Sequence, residues 1–281
     1  MPPQTHFFPR NLPYGRGTRA HWASRPATKL IIFVHGFGGS TVGTWPNFPG
    51  LLPQSPSVAT ADIVFYGYDG RYTQANSSAI SFFDFLYKFL GAPEKLINQT
   101  QPAEAAARSA FQYADIIIVA HSLGAVVTRR ALLHGQEKSK TGTLLPWLET
   151  IRMVFFAPAH SGAYAAGIAL SFLSSQGWFL GNLIGHFVRY KSPLLSDLEP
   201  ESPTINELKR DTTEAIKSRK GRSKNHLVAN AVVWAEIDKV VRNATFCKDP
   251  PPTQLQGKNH TQVCKPAGLT DPIFKAVIEH I

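Results

Sequence analysis

The sequence predicts an α/β protein built on a mostly parallel, doubly wound sheet. Strands of aliphatic and aromatic residues alternate along the chain with helical segments, which is the pattern of consecutive β-α-β units. Several of these strands run directly into loops that carry glycine or polar residues, and ligands of such sheets bind at the carboxyl ends of the strands. A chain of 281 residues with 43% hydrophobic residues is large enough for one such domain with a substantial core.

The composition divides the chain into two parts. Residues 1–28 are basic and rich in proline and glycine, and they predict an irregular N-terminal lead-in. Residues 29–281 are predicted to form the α/β domain, with a cap inserted at about 162–226. The N-terminus lacks the apolar core of a signal peptide, so the expected location is cytoplasmic.

The predicted elements follow one another in chain order. Runs of β-branched and aromatic residues predict strands at Lys29–Val34, Asp62–Tyr66, Ile116–Val119, Arg152–Phe156 and Leu227–Ala235. Apolar spacing or alanine-rich sequence predicts helices at Phe82–Leu90, Glu104–Phe111, Leu123 to about His134, and Asp271–Ile281.

The stretch Ala120-His121-Ser122-Leu123-Gly124 joins a predicted buried strand to a predicted helix. Small residues two positions before and after Ser122 indicate a tight turn, in which larger side chains would collide with the serine. Such a turn raises the hydroxyl above the sheet at the start of a helix, where N–H groups and the helix dipole favour a developing negative charge. Ser122 is therefore the candidate nucleophile. The alternative is a serine that only caps the helix.

A serine nucleophile needs a base, and the base needs an acid that orients it. For a serine on this kind of turn the chain order is serine, acid, histidine, which excludes His35 and His121 as the base. Asp238 follows the last predicted strand and is the favoured acid, while His260 lies in a later loop and is the favoured base. The alternatives are Asp249 and Glu236 for the acid, and His226 and His280 for the base.

The loop His35-Gly36-Phe37-Gly38-Gly39-Ser40 follows the first predicted strand of the α/β domain. Its glycines let the chain turn sharply and expose backbone N–H groups. The predicted oxyanion-hole donors are the backbone N–H groups of Phe37 and Leu123. A phosphate-binding loop is disfavoured because the lysine of the G-x-x-x-x-G-K-[ST] motif is missing. His35 is expected to order the loop.

Together these motifs resemble the lipase-like serine esterases of the α/β-hydrolase superfamily, the group that also contains the inositol-deacylase-type enzymes. The resemblance implies an α/β-hydrolase fold and hydrolysis of a carboxylic ester through an acyl-enzyme on Ser122. Two departures are alanine at position 120 and an extra residue in 157–162, so no inherited role is assigned to His160. The matching pieces are Phe33–Gly39 with Thr44-Trp45, Tyr66–Tyr68, Ala120–Gly124, Ser192–Leu198 with Ser202-Pro203, Asp238–Val241, and Asn259-His260 with Cys264-Lys265.

Residues 161–188 contain no Asp, Glu, Lys or Arg. This length would span a bilayer, but the serine, glutamine and asparagine residues within it favour an apolar lid over the active site. Trp178, Phe179 and Leu183 are the candidate substrate-binding residues. Each buried CH₂ group of an acyl chain gains about 0.8 kcal/mol, so the expected substrate is a hydrophobic acyl ester. The sequence does not decide between a lid and a membrane segment for this stretch.

The net charge of +10 is concentrated at the N-terminus and in residues 209–224. Such clusters indicate either a solvated face or peripheral contact with an anionic membrane. No nucleic-acid-binding motif is present, so nucleic acid is not an expected partner. No His, Cys and Asp residues have ligand spacing, so neither a metal nor a cofactor is expected. The spacing of Cys247 and Cys264 does not decide whether they are bridged.

Two other functions remain open at this point. A thioesterase or acyltransferase would use the same three residues, because all of these reactions pass through one acyl-enzyme. A non-catalytic module could keep the fold and bind a lipid or a protein instead. A degraded enzyme would be expected to lack one of the three polar groups, and the sequence contains a candidate for each.

Overall fold

The computed structural model describes residues 5–71, 73–164, 197–219 and 225–281. Within these ranges eight strands form one sheet in the order β1-β2-β4-β3-β5-β6-β7-β8. Neighbouring strands from β4 to β8 in this order pair in parallel, whereas β1 and β2 are antiparallel at one edge. The strands are β1 Arg10–Asn11, β2 Arg19–His21, β3 Lys29–Val34, β4 Ala61–Tyr66, β5 Asp115–His121, β6 Ile151–Phe156, β7 Ala231–Ile237 and β8 Thr253–Asn259.

Helices accompany this sheet. On α2 (Ala75–Gly91), the aromatic residues Phe82, Phe85 and Phe89 recur at helical spacing and are buried, and Phe82 and Phe85 pack against Tyr66 of β4. Helix α4 (Leu123–Lys140) packs against α2 and also against α5 (Pro203–Ser218). No helix in the described ranges is both long and apolar enough to cross a membrane. The helices are α1 Phe48–Leu51, α2 Ala75–Gly91, α3 Pro93–Thr100, α4 Leu123–Lys140, α5 Pro203–Ser218 and α6 Pro272–Ile278.

Strand β5 lies between β3 and β6 in the sheet. Its residues Ile116–Ala120 are fully buried, because a parallel strand in this position is covered on both faces. The strand predicted at 116–119 is therefore buried, as the sequence predicted. It delivers Ser122 to the carboxyl end of the sheet, where the loops after β3, β7 and β8 also begin.

The N-terminal lead-in is not irregular as expected, because residues 5–28 contribute β1 and β2 to the sheet. The turn between these strands packs against the end of β4. Arg16 N–H donates to the carbonyl of Gly67 at 2.8 Å, and a Cβ on Gly15 would lie only 1.9 Å from the same oxygen. Strands of two and three residues leave little sequence signal, which explains why they were not predicted.

Residues 104–111 were predicted to be helical, and this prediction is wrong. Tertiary contacts override the alanine-rich sequence. The guanidinium of Arg108 binds the fully buried carboxylate of Asp62 at 2.5 and 3.0 Å. The side chain of Asn98, on α3, hydrogen-bonds both the N–H and the C=O of Arg108 at 2.8 Å. These contacts hold Arg108 in irregular backbone.

The C-terminal half also differs from the predictions. The strand predicted from Leu227 begins only at Ala231, because the preceding residues form a turn whose Ala229 N–H donates to Asp249 at 2.9 Å. Strand β8 and helix α5 were not predicted. Cys247 and Cys264 are free thiols, and Cys264 is buried.

A buried ion pair links α4 to the segments that precede β7 and β8. The fully buried guanidinium of Arg129 binds Asp249 at 2.6 Å and donates to the carbonyl of Leu227 at 2.5 Å. It also lies 5.2 Å from the ring centre of Phe155 and 4.8 Å from that of Phe246. The helix that begins after Ser122 is thereby tied to both neighbouring strand connections.

We expect Arg129→Met to lower the free energy of unfolding by about 3–5 kcal/mol, because it leaves the Asp249 carboxylate buried without its charge partner. The double variant Arg129→Met/Asp249→Leu should recover most of this loss, since neither charge then remains. Urea unfolding monitored by circular dichroism measures both values.

Lys88→Met is the control for this experiment. Lys88 pairs with Asp84 at 2.8 Å, but both side chains are at least half exposed, so its loss should cost far less than the loss of Arg129. If Arg129→Met is as mild as the control, the buried pair does not stabilise the fold in the way described.

Candidate active site

Ser122 lies at the junction of β5 and α4 in a backbone conformation that is rare for a side-chain-bearing residue. Its φ and ψ angles are 53° and −122°. A strained residue of this kind persists only where its surroundings enforce it. Ser122 occupies the N-cap position of α4, but its hydroxyl makes no capping hydrogen bond to the helix. The alternative of a serine that only caps the helix is therefore not what the structure shows.

Gly36 and Gly124 allow the turn at Ser122 to approach the end of β3 and its loop closely. A Cβ on Gly124 would lie 2.4 Å from the carbonyl oxygen of Val34 and 2.5 Å from that of His35. A Cβ on Gly36 would lie 2.8 Å from the Cβ of Ser122. A small residue is therefore required at position 124 because the end of β3 lies against it. The sequence analysis did not identify this neighbour.

We expect Gly124→Ala to destabilise the fold by at least about 1–3 kcal/mol, because the added methyl group meets backbone oxygens that cannot rotate away. The shift of the urea midpoint measures this effect. Gly91→Ala is the matched control, since a Cβ at this exposed end of α2 meets nothing within 4 Å. Equal midpoints for the two variants would contradict the close approach.

The structure brings the three predicted polar residues into one hydrogen-bonded chain. His260 Nε2 lies 3.0 Å from Ser122 Oγ, and His260 Nδ1 lies 2.9 Å from Asp238 Oδ2. The carboxylate can only accept a hydrogen bond, so Nδ1 carries the proton and Nε2 is left to accept the serine proton. All three residues directly follow strand ends, those of β5, β7 and β8.

Asp238 is held by its own loop as well as by the histidine. Its Oδ1 accepts hydrogen bonds from Val240 N–H at 2.8 Å and Val241 N–H at 3.1 Å. Burial opposes ionisation of this carboxyl group, but the hydrogen bond and charge of His260 and the two backbone donors outweigh burial and lower its pKa. Asp238 is therefore suited to remain an anion beside the imidazole.

The alternative acids have other partners. Asp249 binds Arg129, and Glu236 Oε2 accepts a hydrogen bond from Gly257 N–H at 2.7 Å. Among the candidate bases, the structure places His260 against Ser122. His160, which carried no assigned role, is buried between Phe155 and Phe246 with ring-centre distances of 5.0 and 4.7 Å.

The loop after β3 lies beside Ser122 and contains the candidate donor Phe37. His35 orders this loop, since its Nδ1 donates to the carbonyl of Gly36 at 2.9 Å and its Nε2 accepts from Tyr68 N–H at 3.3 Å. Burial lowers the pKa of His35 to about 4, which keeps it neutral for these two bonds. The other candidate donor, Leu123 N–H, belongs to the first turn of α4, where N–H groups have no partner within the helix.

Tyr68 is a contributor that sequence reasoning missed. Its hydroxyl donates to the carbonyl of His35 at 2.8 Å, and its ring stacks on the His35 ring at 4.4 Å. The only signal in the sequence was its place in Tyr66-Gly67-Tyr68 at the end of a strand. Tyr68 thereby holds the backbone and the ring of His35 in this loop.

Some expected residues cannot be placed in this site. Trp178, Phe179 and Leu183 lie outside the described residues, as does most of the uncharged stretch. Of the predicted cap, the structure describes 162–164, α5 with its flanking residues, and 225–226. Among all described residues, no three His, Cys, Asp or Glu side chains are grouped so that they could hold a metal ion.

Comparison with solved structures gives several similar proteins. The peroxisomal α/β-hydrolase Lpx1 from Saccharomyces cerevisiae is 11% identical, with 99% of this chain and 83% of that protein aligned at a TM-score of 0.51. Carboxyl esterase 2 from Tuber melanosporum is 16% identical, with 99% and 84% aligned at a TM-score of 0.50. The lipase BlEst2 from Bacillus licheniformis is 16% identical, with 75% of this chain aligned at a TM-score of 0.41.

This chain spans 66% of the length of that lipase, slightly less than two thirds. No protein-family model matches the sequence, and no curated protein matches it either. At these identities the likeness concerns the fold alone. The parallel sheet with its flanking helices, matched over nearly the whole chain, identifies an α/β-hydrolase fold and confirms the predicted fold class.

Proposed function

We propose that this chain is a serine hydrolase that cleaves a carboxylic ester through an acyl-enzyme on Ser122. The observation that carries the proposal is the continuous hydrogen-bonded chain from Ser122 Oγ through His260 to Asp238. A serine held in a strained turn, with a base in reach and an acid behind the base, is the arrangement that activates a hydroxyl for attack. A serine that served only the fold would need none of this.

The geometry supports a two-stage reaction. Ser122 Oγ attacks the acyl carbonyl carbon while His260 Nε2 takes the hydroxyl proton, and the N–H groups of Phe37 and Leu123 bind the resulting oxyanion. The tetrahedral intermediate then releases the alcohol, which takes the proton from His260. Water attacks the acyl-enzyme by the same route, returning Ser122 and releasing the carboxylic acid. Asp238 keeps the imidazole in the required tautomer and stabilises its charged form.

The proposed substrate is an ester with a hydrophobic acyl chain. Support comes from the sequence of the uncharged stretch 161–188, in which Trp178, Phe179 and Leu183 would contact the acyl chain of the substrate. A lid of apolar residues can select chain length without hydrogen bonds, because each buried CH₂ group contributes about 0.8 kcal/mol.

We further propose that the protein meets this substrate at an anionic membrane surface. In the described part of the basic segment, Lys209, Arg210 and Lys217 share the exposed surface of α5 with Glu207 and Glu214, so this surface is of mixed charge. The remaining attraction would come from the apolar stretch and from the basic residues near the N-terminus. Each charge near the surface contributes about 1 kcal/mol.

The deciding experiment is covalent labelling with a fluorophosphonate probe, followed by mapping of the labelled peptide. We expect one labelled residue, Ser122. A folded wild-type protein that resists the probe would overturn the proposal and favour a non-catalytic module.

A panel of nitrophenyl esters from acetate to laurate then tests the substrate class, with and without phosphatidylcholine vesicles that contain or lack phosphatidylserine. We expect kcat/KM to rise with chain length and to rise further with the anionic vesicles. Rates confined to acetate would leave a hydrolase of small esters. A vesicle response that does not depend on phosphatidylserine would remove the anionic-surface part of the proposal.

A further inference from the structure

His121, the residue directly before the nucleophile, contacts the loop that carries the base. It is the last residue of β5, and its side chain is buried. Its Nε2 lies 2.8 Å from the backbone carbonyl oxygen of His260. Because a carbonyl can only accept, this nitrogen carries the proton and donates it. The chain order had excluded His121 as the base and had left it without a role.

The ring of His121 has close neighbours from three parts of the chain. Its centre lies 4.8 Å from that of His260 and 6.3 Å from that of Trp45, which meets it edge-on. In the third part, a Cβ on Gly36 would lie 3.1 Å from His121 Nδ1. The side chain therefore stands where the nucleophile turn, the loop with the candidate oxyanion donor, and the loop with the base meet.

The loop of His260 is fixed from two directions. On one side, Asn259 Oδ1 accepts hydrogen bonds from Thr261 N–H at 3.1 Å and Gln262 N–H at 3.0 Å. On the other side, the carbonyl of His260 itself is held by His121. Loss of the second bond would leave the turn and the side-chain bond of His260 to Asp238 in place, but would free the backbone carbonyl of His260.

A neutral His121 is what this arrangement needs. Burial, together with the charge of the neighbouring His260, lowers the pKa of His121 to about 3. A protonated His121 would place a second cation against the imidazolium of His260. The neutral ring donates its hydrogen bond without opposing proton transfer from Ser122.

We propose that His121 is a positioning residue, whose Nε2–H holds the His260 backbone so that the imidazole stays within reach of Ser122. This inference rests on the proposed hydrolase function. It goes beyond it by assigning a role to a residue that does not contact the reacting atoms. Misplacement of a catalytic group by about 1 Å can cost roughly 100-fold in rate, so a single backbone hydrogen bond can matter here.

The test compares His121→Gln with His121→Met. The two replacement side chains have the same length, but only glutamine places an N–H donor at the same number of bonds from the backbone as His Nε2. For nitrophenyl butyrate we expect His121→Met to lower kcat by about 10–100-fold with KM unchanged, and His121→Gln to stay within about 3-fold of the wild type. The rate of fluorophosphonate labelling should follow kcat.

Hydrogen exchange of the amides in residues 259–262 gives a readout that needs no activity. We expect faster exchange in His121→Met than in His121→Gln and the wild type. Equal kcat or equal exchange in the two variants would overturn the positioning role and leave His121 as a packing residue. A wild type without esterase or probe reactivity would instead contradict the proposed function, and the exchange comparison would still decide whether His121 holds the loop.

Discussion

Ser122→Ala should lower kcat for ester hydrolysis by about 10⁶-fold, the loss seen when the nucleophile of a comparable serine enzyme is removed. The hydroxyl is hydrogen-bonded to His260 and does not cap α4, so its removal should leave the fold intact. The remaining rate would come from the oxyanion donors and from substrate binding, which do not require the hydroxyl. Steady-state kinetics with a nitrophenyl ester measures the loss, and the thermal midpoint should differ little from that of the wild type.

Ser139→Ala is the matched control for this variant. Ser139 lies on the same helix, α4, near its far end, and is exposed. Its replacement should leave kcat unchanged. If Ser122→Ala retained more than about 1% of the wild-type kcat, another residue would have to be the nucleophile.

Asp238→Asn should lower kcat by about 10⁴-fold, the effect of the same change in the serine-protease triad. The asparagine carbonyl can still accept from Val240 and Val241 N–H, so the loop should persist. Its amide group would then donate to His260 Nδ1 and force the imidazole proton onto Nε2. The base could no longer accept the proton of Ser122. His260→Ala should be at least as damaging, because it removes the base itself.

The variant Asp249→Asn tests whether the carboxylate of Asp249 has a structural role, in contrast to the catalytic role proposed for Asp238. It should lower stability, because Arg129 loses its buried partner, but kcat per folded molecule should stay near the wild-type value. Kinetics well below the unfolding transition, combined with urea unfolding of both variants, distinguishes the two effects. If Asp249→Asn lost the activity and Asp238→Asn kept it, the assignment of the acid would be reversed.

The central strands were predictable because burial on both faces leaves an unbroken aliphatic run. The observed bounds of β3 match the prediction, and those of β4 and β6 differ by one residue at the start. Strand β8 could not be found in this way. It has a single buried residue, Leu255, and otherwise reads as a polar segment. Its pairing with β7 is decided by tertiary structure.

The candidate site was predictable to the extent that chain order and strand ends constrain it. Ser122, Asp238 and His260 were selected by those two rules, and the structure brings them together. The contacts of Tyr68 and His121 were not predictable, since they join residues far apart in the sequence through backbone carbonyls. Backbone acceptors are present at every position, so no sequence pattern marks the ones that are used.

The positions of the three site residues in the sheet give them unequal protection against local opening. Ser122 follows β5, which is paired on both sides, whereas His260 follows β8, which ends the sheet in the described part of the chain. Regions with few buried apolar contacts open at a lower free-energy cost than the core. On heating, separation of β8 from β7 would withdraw the base while the nucleophile turn is still folded. If the proposed hydrolase function holds, we expect activity to be lost at a lower temperature than that at which the sheet unfolds, because the outermost strand opens first.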